Sequence, residues 1–300
     1  KAGFIRTVPR FEPKSNLFND RLITFEVSFT IAHLTECTEE SNKINLLSLP
    51  GSDCFPAYDL ENYLKELDCK SLNLDGVNEY INCTNNSAFD IEGTESFSFI
   101  CNIKKLGGSY FPLVQKLYYN GANTQKGYRA YVGPANKINF NLYGSSAFNG
   151  ISIQSTAAIT INDWYNIAIT YSGTETAAGL KVYINGVLST FSIFVDNYSG
   201  SMINTEILTL GAQPTPTNPL YGNCNYAAAQ MWNIELTETD IQNYYNCNIN
   251  TPKESDLILN TNIGASFWNG TAYEIPDLTG ITTGYTSVNS EEADLLTDCP

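Results

Sequence analysis

Short strand-like runs rich in apolar residues, several of them alternating apolar and polar positions, recur between residues 96 and 233. "SFSFICNI" (96–103), "PLVQKLYY" (112–119), "GYRAYV" (127–132), "KINFNLYG" (137–144) and "GISIQS" (150–155) come first. "WYNIAITYS" (164–172), "LKVYI" (180–184), "VLSTFSIFV" (187–195), "EILTLGA" (206–212) and "YAAAQMWN" (226–233) follow. Each segment predicts a strand, and where apolar and polar residues alternate, one face is expected on a core. Gly, Asn and Pro separate them, which is turn chemistry. The pattern has no βαβ rhythm and no repeat of 20–50 residues. It predicts an all-β sandwich or barrel.

One turn is specific. Asn185-Gly186 sits between "LKVYI" and "VLSTF". A two-residue hairpin loop favours a type I′ turn, which needs positive φ at both positions, and Asn and Gly tolerate it. Leu180, Val182 and Ile184 alternate with Lys181 and Tyr183, so one face of this strand is expected to be buried.

One helix interrupts the strands, at "LTETDIQNYYN" (236–246). Thr237 is placed as N-cap and Asp240 as the third helical residue reaching back to it. Leu236 and Ile241 are placed as a hydrophobic staple. Ile241, Tyr244 and Tyr245 form a stripe that would lie on the sandwich.

The flanks are less regular. Residues 1–70 hold a strand-like "RLITFEVSFTIAHL" and a helix-like "DLENYLKELDCK", read together as an N-terminal extension for anchoring or assembly. Residues 71–250 are the sandwich domain. Residues 251–300 are a C-terminal extension packing on or anchoring it, with "DLILN" and "SFWNG" as short strands. Glu291, Glu292, Asp294 and Asp298 read as a solvated acidic tail.

Composition narrows the function classes. The net charge of −15 repels phosphate backbones and anionic lipid, so no nucleic-acid partner is expected. No apolar run reaches the roughly 20 residues of a membrane span, so membrane insertion is not expected. The opening "KAGFIRTVPRF" lacks the charged-then-apolar layout of a signal peptide. Only 16% of residues are charged, while the chain has 19 Tyr and 15 Phe, a composition suited to strands and binding faces.

The eight cysteines (Cys37, Cys54, Cys69, Cys83, Cys101, Cys224, Cys247 and Cys299) contain no C-x-x-C, and the single His33 is far from any cluster. A zinc site is therefore not expected. Free thiols and disulfides both fit, with Cys83/Cys101 and Cys224/Cys247 as candidate pairs. Sequons at Asn82, Asn85, Asn197 and Asn269 are what a chain this rich in Asn, Ser and Thr contains by chance.

The order of motifs is distinctive. "LNLDGVNEYI" (72–81) precedes "SFSFICNI". "WYNIAITYSG", "LKVYINGV", "EILTLGA" and "YAAAQMWNIELTETDIQNYY" then follow in that order. The series resembles the laminin G-like and pentraxin-like jelly rolls of the concanavalin A-like group. Trp164, Tyr171, Tyr183, Asn185, Gly186, Gly211, Trp232, Leu236 and Ile241 fill the family positions. The resemblance covers about residues 71–247 and implies a jelly-roll sandwich with one short C-terminal helix. The pentraxin-type calcium loop is acidic, whereas the corresponding "GAQPTPTNPLYGN" has no carboxylate, and calcium sites normally include carboxylates. No cofactor is therefore expected. Asp75 and Asp163 remain as calcium candidates that equally fit turn capping.

Catalytic readings find little to stand on. The related glucanases resemble E-x-D-x-x-E, with paired acids on one strand face. The nearest stretch, "DIEGTE" (Asp90, Glu92, Glu95), is out of order and broken by Gly93. There is no G-x-S-x-G elbow, and any His-dependent nucleophile would need His33, outside the recognised domain. "KKLGGSYF" lacks the context of a phosphate loop.

Binding remains. The resemblance implies recognition of glycans or proteins through rim loops or a sheet face. Sugars need an aromatic surface and planar polar groups. "LYYNGANTQKGYR" supplies Tyr118, Tyr119, Asn120, Asn123, Tyr128 and Arg129, with Tyr143 and Trp268 further out. The expected function is a non-enzymatic adhesion or structural module. It is expected in a virion, as a phage tail, fibre or capsid-decoration protein that binds a glycan, a host-surface receptor or neighbouring structural proteins in an oligomer or larger complex. An exported bacterial cell-surface or extracellular lectin is the alternative, and a glycoside hydrolase the third reading.

Overall fold

A computed structural model describes residues 70–120, 124–146, 149–215, 218–246, 253–261 and 263–298. The strand and helix expected in residues 1–69, and His33, lie outside the described residues. The strands run in chain order. β1 is Ser71–Asp75, β2 Tyr80–Asn82, β3 Phe97–Lys105, β4 Phe111–Tyr119, β5 Gln125–Val132, β6 Lys137–Ser146 and β7 Asn149–Ala158. β8 is Trp164–Tyr171, β9 Leu180–Ile184, β10 Val187–Ser189, β11 Phe191–Asp196, β12 Thr209–Leu210, β13 Ala212–Gln213 and β14 Leu220–Tyr221. Next comes β15 (Asn223–Trp232), and helix α1 (Glu238–Tyr245) follows it. β16 is Leu257–Asn260, β17 Phe267–Trp268, β18 Tyr273–Ile275, β19 Tyr285–Val288 and β20 Leu295–Leu296.

Two large antiparallel sheets form. The eight-stranded sheet has the order β10-β9-β8-β3-β15-β1-β20, with β16 also paired to β15. The ten-stranded sheet has the order β11-β7-β6-β5-β4-β12-β2-β19-β18-β17. β13 and β14 make a separate hairpin. The described residues thus form an all-β, two-sheet jelly-roll sandwich with one short α-helix.

Period two explains the core between the sheets. Phe97, Phe99, Cys101 and Ile103 of β3 and Ile167, Ile169 and Tyr171 of β8 meet Tyr128, Ala130 and Val132 of β5 and Ile138, Phe140 and Leu142 of β6. A bulge in β4 between Pro112 and Val114 lets Leu113 and Val114 both be buried.

A second apolar cluster lies on the other face of the eight-stranded sheet. Ile100, Ala168, Tyr183 and Trp232 pack there against Leu236, Ile241 and Leu257, with Tyr244 half-buried beside them. Helix α1 is the cover. Thr237 and Asp240 form the reciprocal cap, and both staple residues, Leu236 and Ile241, are fully buried. This corrects the one-sided reading of β9. Tyr183 is buried under the helix while Val182 is buried in the sandwich, so both faces are covered. Tyr245 is largely exposed but packs on the Asn185-Gly186 turn, where φ is +51° and +73°.

Residues beyond 251 supply strands to both sheets. β17, β18 and β19 extend the ten-stranded sheet beside β2, and β20 pairs with β1. The acidic end is correspondingly not just solvated. Asp298 pairs with Lys104 at 2.7 Å and accepts from Trp164 Nε1 at 3.1 Å and Asn225 Nδ2 at 3.0 Å.

Cys83, Cys101 and Cys224 are buried free thiols, so the Cys83/Cys101 and Cys224/Cys247 pairings are not made. Cys37, Cys54, Cys69, Cys247 and Cys299 lie outside the described residues.

Candidate functional site

The two sheets differ on their outward faces. On the eight-stranded sheet an apolar patch of Ile100, Ala168, Tyr183 and Trp232 lies under α1. On β4 to β7 the outward face is polar and aromatic, because the residues between the core positions are Gln115, Arg129, Tyr131, Asn139, Asn141, Tyr143, Ser152 and Gln154. Register places Gln115 opposite Arg129, Arg129 opposite Asn141, and Asn141 opposite Ser152.

Arg129 is the centre of this face. Its Nε donates to Asn141 Oδ1 at 3.0 Å and its Nη1 to Gln213 Oε1 at 2.8 Å. Asn141 in turn donates to Ser152 Oγ at 2.7 Å, and Gln154 donates to Asn139 Oδ1 at 3.0 Å. The guanidinium carbon lies 4.9 Å from the centroid of the Tyr131 ring and 5.9 Å from that of Tyr143. Such stacking holds a cation at a fixed height over the sheet. Burial pushes the Tyr131 phenol above its usual value, with Arg129 acting in the opposite direction. Among the described residues no carboxylate pairs with Arg129, and its Nη2 has no hydrogen-bond partner.

A dimple of about 10 Å³ opens here, lined by Tyr110, Pro112, Gln115, Arg129, Tyr131 and Gln213 among others. That is room for one water-sized group. Gln115 is only 3% exposed, and its Oε1 has no hydrogen-bond partner. A buried acceptor left unpaired costs free energy that a donor from outside would recover.

The residues expected from "LYYNGANTQKGYR" separate. Tyr118, Tyr119 and Asn120 lie at the turn end of β4, away from the dimple, with Tyr118 39% exposed. Asn123 lies outside the described residues. Tyr128 is turned into the core at 2% exposure, where its hydroxyl donates to the Phe89 carbonyl at 3.1 Å, so it does not face a ligand. Arg129 alone of the set is in the dimple. Tyr143 shares its face, while Trp268 is on edge strand β17, 5.2 Å from the Tyr273 ring.

Gln115, Tyr131, Asn141 and Gln213 are not among the candidates from the sequence. For Tyr131 and Asn141 the sequence carries a signal. Arg129 and Tyr131, and Asn139, Asn141 and Tyr143, recur at every second residue opposite buried positions. Gln213 arrives from a distant hairpin and has no such signal.

The remaining acids are structural. Asp75 Oδ1 accepts from Val77 N at 2.7 Å, and Asp163 accepts from Thr160 Oγ1, both closing turns. Among the described residues no three His, Cys, Asp or Glu side chains are grouped to hold a metal. Asp90 pairs with Lys116 at 3.1 Å, Glu92 accepts from Ser201 Oγ at 2.6 Å, and Glu95 caps the Glu92 amide at 2.8 Å.

The profile of the Concanavalin A-like lectin/glucanases superfamily matches residues 75–242, more than half of the chain. The chain belongs to this superfamily. Several solved structures are similar to this superfamily member. A presumed carbohydrate-binding protein of Bacteroides ovatus is 17% identical, with a TM-score of 0.52, over 74% of this chain and 60% of its own. The heptameric SAP-like pentraxin of Limulus polyphemus is 13% identical, with a TM-score of 0.46, over 75% of this chain and 97% of its own. The CBM40 of the Ruminococcus gnavus IT-sialidase, solved with α2,3-sialyllactose, is 13% identical, with a TM-score of 0.46, over 57% of this chain and 94% of its own. The chain thus spans about 60% of the Bacteroides protein. No curated protein matches it in sequence. Likeness at these identities concerns the fold.

Proposed function

We propose that the chain is a non-enzymatic, lectin-like module that binds carbohydrate on the outward face of β4 to β7. The observation that carries this reading is Arg129, stacked between Tyr131 and Tyr143 and set opposite the unpartnered Gln115 acceptor. The half-buried Tyr131 ring suits the apolar face of a sugar, the buried Tyr143 ring supports Arg129, and amide and guanidinium groups suit the sugar's hydroxyls. The dimple admits one ligand group, so the sugar lies on the sheet rather than inside a cleft. The superfamily and the Bacteroides protein's presumed role support the same class of ligand.

A binder differs from a hydrolase in having no acid pair at the site. Asp90, the first acid of "DIEGTE", is held by Lys116 rather than facing this surface. The setting we propose is an assembled surface, the virion of a tailed phage first, for which native particles analysed by mass spectrometry are the test.

A glycan array followed by titration calorimetry on the full chain tests the binding reading. Retained, unaltered glycan is expected, lost on Tyr131→Ala in a folded variant. Binding indifferent to Tyr131→Ala and Tyr143→Ala, or release of cleaved sugar, overturns it.

A further inference from the structure

The charge pattern of the dimple specifies its ligand further than "carbohydrate". The chain carries 31 acidic and 16 basic side chains, yet Arg129 has no acidic partner among the described residues. Its two hydrogen bonds both go to neutral amide oxygens, which position the guanidinium without neutralising it. Nη2 is left with two N–H groups and no partner among the described residues. Directly across the β4–β5 ladder, buried Gln115 offers an acceptor with no donor. One side of the dimple therefore lacks an anion, and the other lacks a hydrogen-bond donor.

We infer that the group seated here is an acidic sugar residue, whose carboxylate accepts from Arg129 and whose neighbouring hydroxyl donates to Gln115 Oε1. The inference rests on the binding reading above and names its ligand class. A planar guanidinium matches a carboxylate geometrically, and hydrogen bonds to ions are the stronger kind. A sugar carrying both groups on adjacent atoms meets both unfilled positions at once. A neutral sugar can satisfy Gln115 but leaves the cation uncompensated. A densely sulfated polymer satisfies Arg129 but meets the field of a chain of net charge −15. The single small dimple also fits one anionic group rather than a row of them.

The test is calorimetric titration of the full chain with methyl glycosides of glucuronic, galacturonic and N-acetylneuraminic acid, each beside its neutral methyl ester, and with heparin. At least one acid is expected to bind about tenfold or more tighter than its ester, the scale of one charge-assisted hydrogen bond. Arg129→Gln is expected to abolish that ratio. Arg129→Lys, which keeps charge but loses the fork, is expected to reduce it, and Gln115→Leu to weaken acid and ester alike. Unfolding midpoints establish that each variant is folded. Should Arg129→Gln not fold, the acid-to-ester ratio of the unmodified chain decides by itself. Equal binding of acid and ester overturns the inference while leaving the binding reading intact, and heparin as the tightest ligand overturns it too. If none of these sugars binds and the glycan array is also blank, the binding reading itself has failed.

Discussion

Tyr128 and Arg129 are neighbours in β5 and pass through opposite faces of the ten-stranded sheet. Tyr128 donates to the Phe89 carbonyl inside the core, where burial holds its phenol well above its usual range. Arg129 lies outside, 4.9 Å over the Tyr131 ring. Their substitutions should therefore separate stability from binding. Tyr128→Phe leaves a buried carbonyl unpaired and is expected to cost about 1–2 kcal/mol in urea denaturation, with glycan affinity unchanged. A change in affinity with no loss of stability would show that Tyr128 reaches the ligand.

The ion pair between Lys116 and Asp90 anchors the start of the "DIEGTE" loop. Lys116 is 1% exposed, and its Nζ also donates to the carbonyls of Asn204 at 3.0 Å and Glu206 at 2.6 Å. Lys116→Met strands the Asp90 carboxylate and two carbonyls, and is expected to cost about 3 kcal/mol. Adding Asp90→Asn should recover part of that loss, as seen in paired denaturation curves. A stable Lys116→Met single variant would sink the argument.

Stability should fall between mildly acidic and neutral pH because of Glu79. Burial raises its carboxyl from 4.5 to about 7, the Asp294 and Asp75 charges add to this, and the bond from Asp75 N opposes it. The folded state thus holds this proton more tightly than the unfolded chain does. Its contribution is complete below pH 4.5 and is lost as pH rises through about 7. Between those limits a loss on the order of 1–3 kcal/mol is expected. Chemical denaturation from pH 5 to 8 measures it, and Glu79→Gln should flatten the slope. Asp298 works in the opposite sense. The hydrogen bond from Lys104 lowers its pKa, so its smaller contribution is lost only as the solution becomes strongly acidic.

Gly186 is required twice over. Its φ is +73°, and an added Cβ would come within 2.9 Å of the Tyr245 ring. Gly186→Ala is expected to lower stability by about 1–2 kcal/mol through backbone strain alone, and more through the ring contact. Tyr245→Ala in the same chain should relieve only the second part, which thermal unfolding of the three variants would resolve.

The thiols of Cys83, Cys101 and Cys224 should be inert in the folded chain. All three are buried, and burial raises Cys101 to about 12 and the other two well above their usual value. Thiolate is the reactive form. Alkylation mapped by mass spectrometry should spare these three under native conditions and modify them in denaturant. Native labelling would contradict their burial.

The sequence by itself determined the all-β class, most of the strands and the capped helix. Those features follow from local rules: alternation with period two, the Asn185-Gly186 turn and the Thr237–Asp240 box are each written within a few consecutive residues. Residues 187–195, expected as one strand, instead divide at Thr190 into β10 in one sheet and β11 in the other. Of the site the sequence marked Arg129 and Tyr143 but not Tyr131 and Asn141, which read equally well as solvent-facing positions of ordinary strands. Only the tertiary structure decided which outward face α1 would cover, that Tyr128 belongs to the core, and that Gln213 meets Arg129 from a hairpin more than eighty residues away. Alternation tells that two faces exist, but what packs on each face depends on long-range pairing, which no short stretch of sequence records.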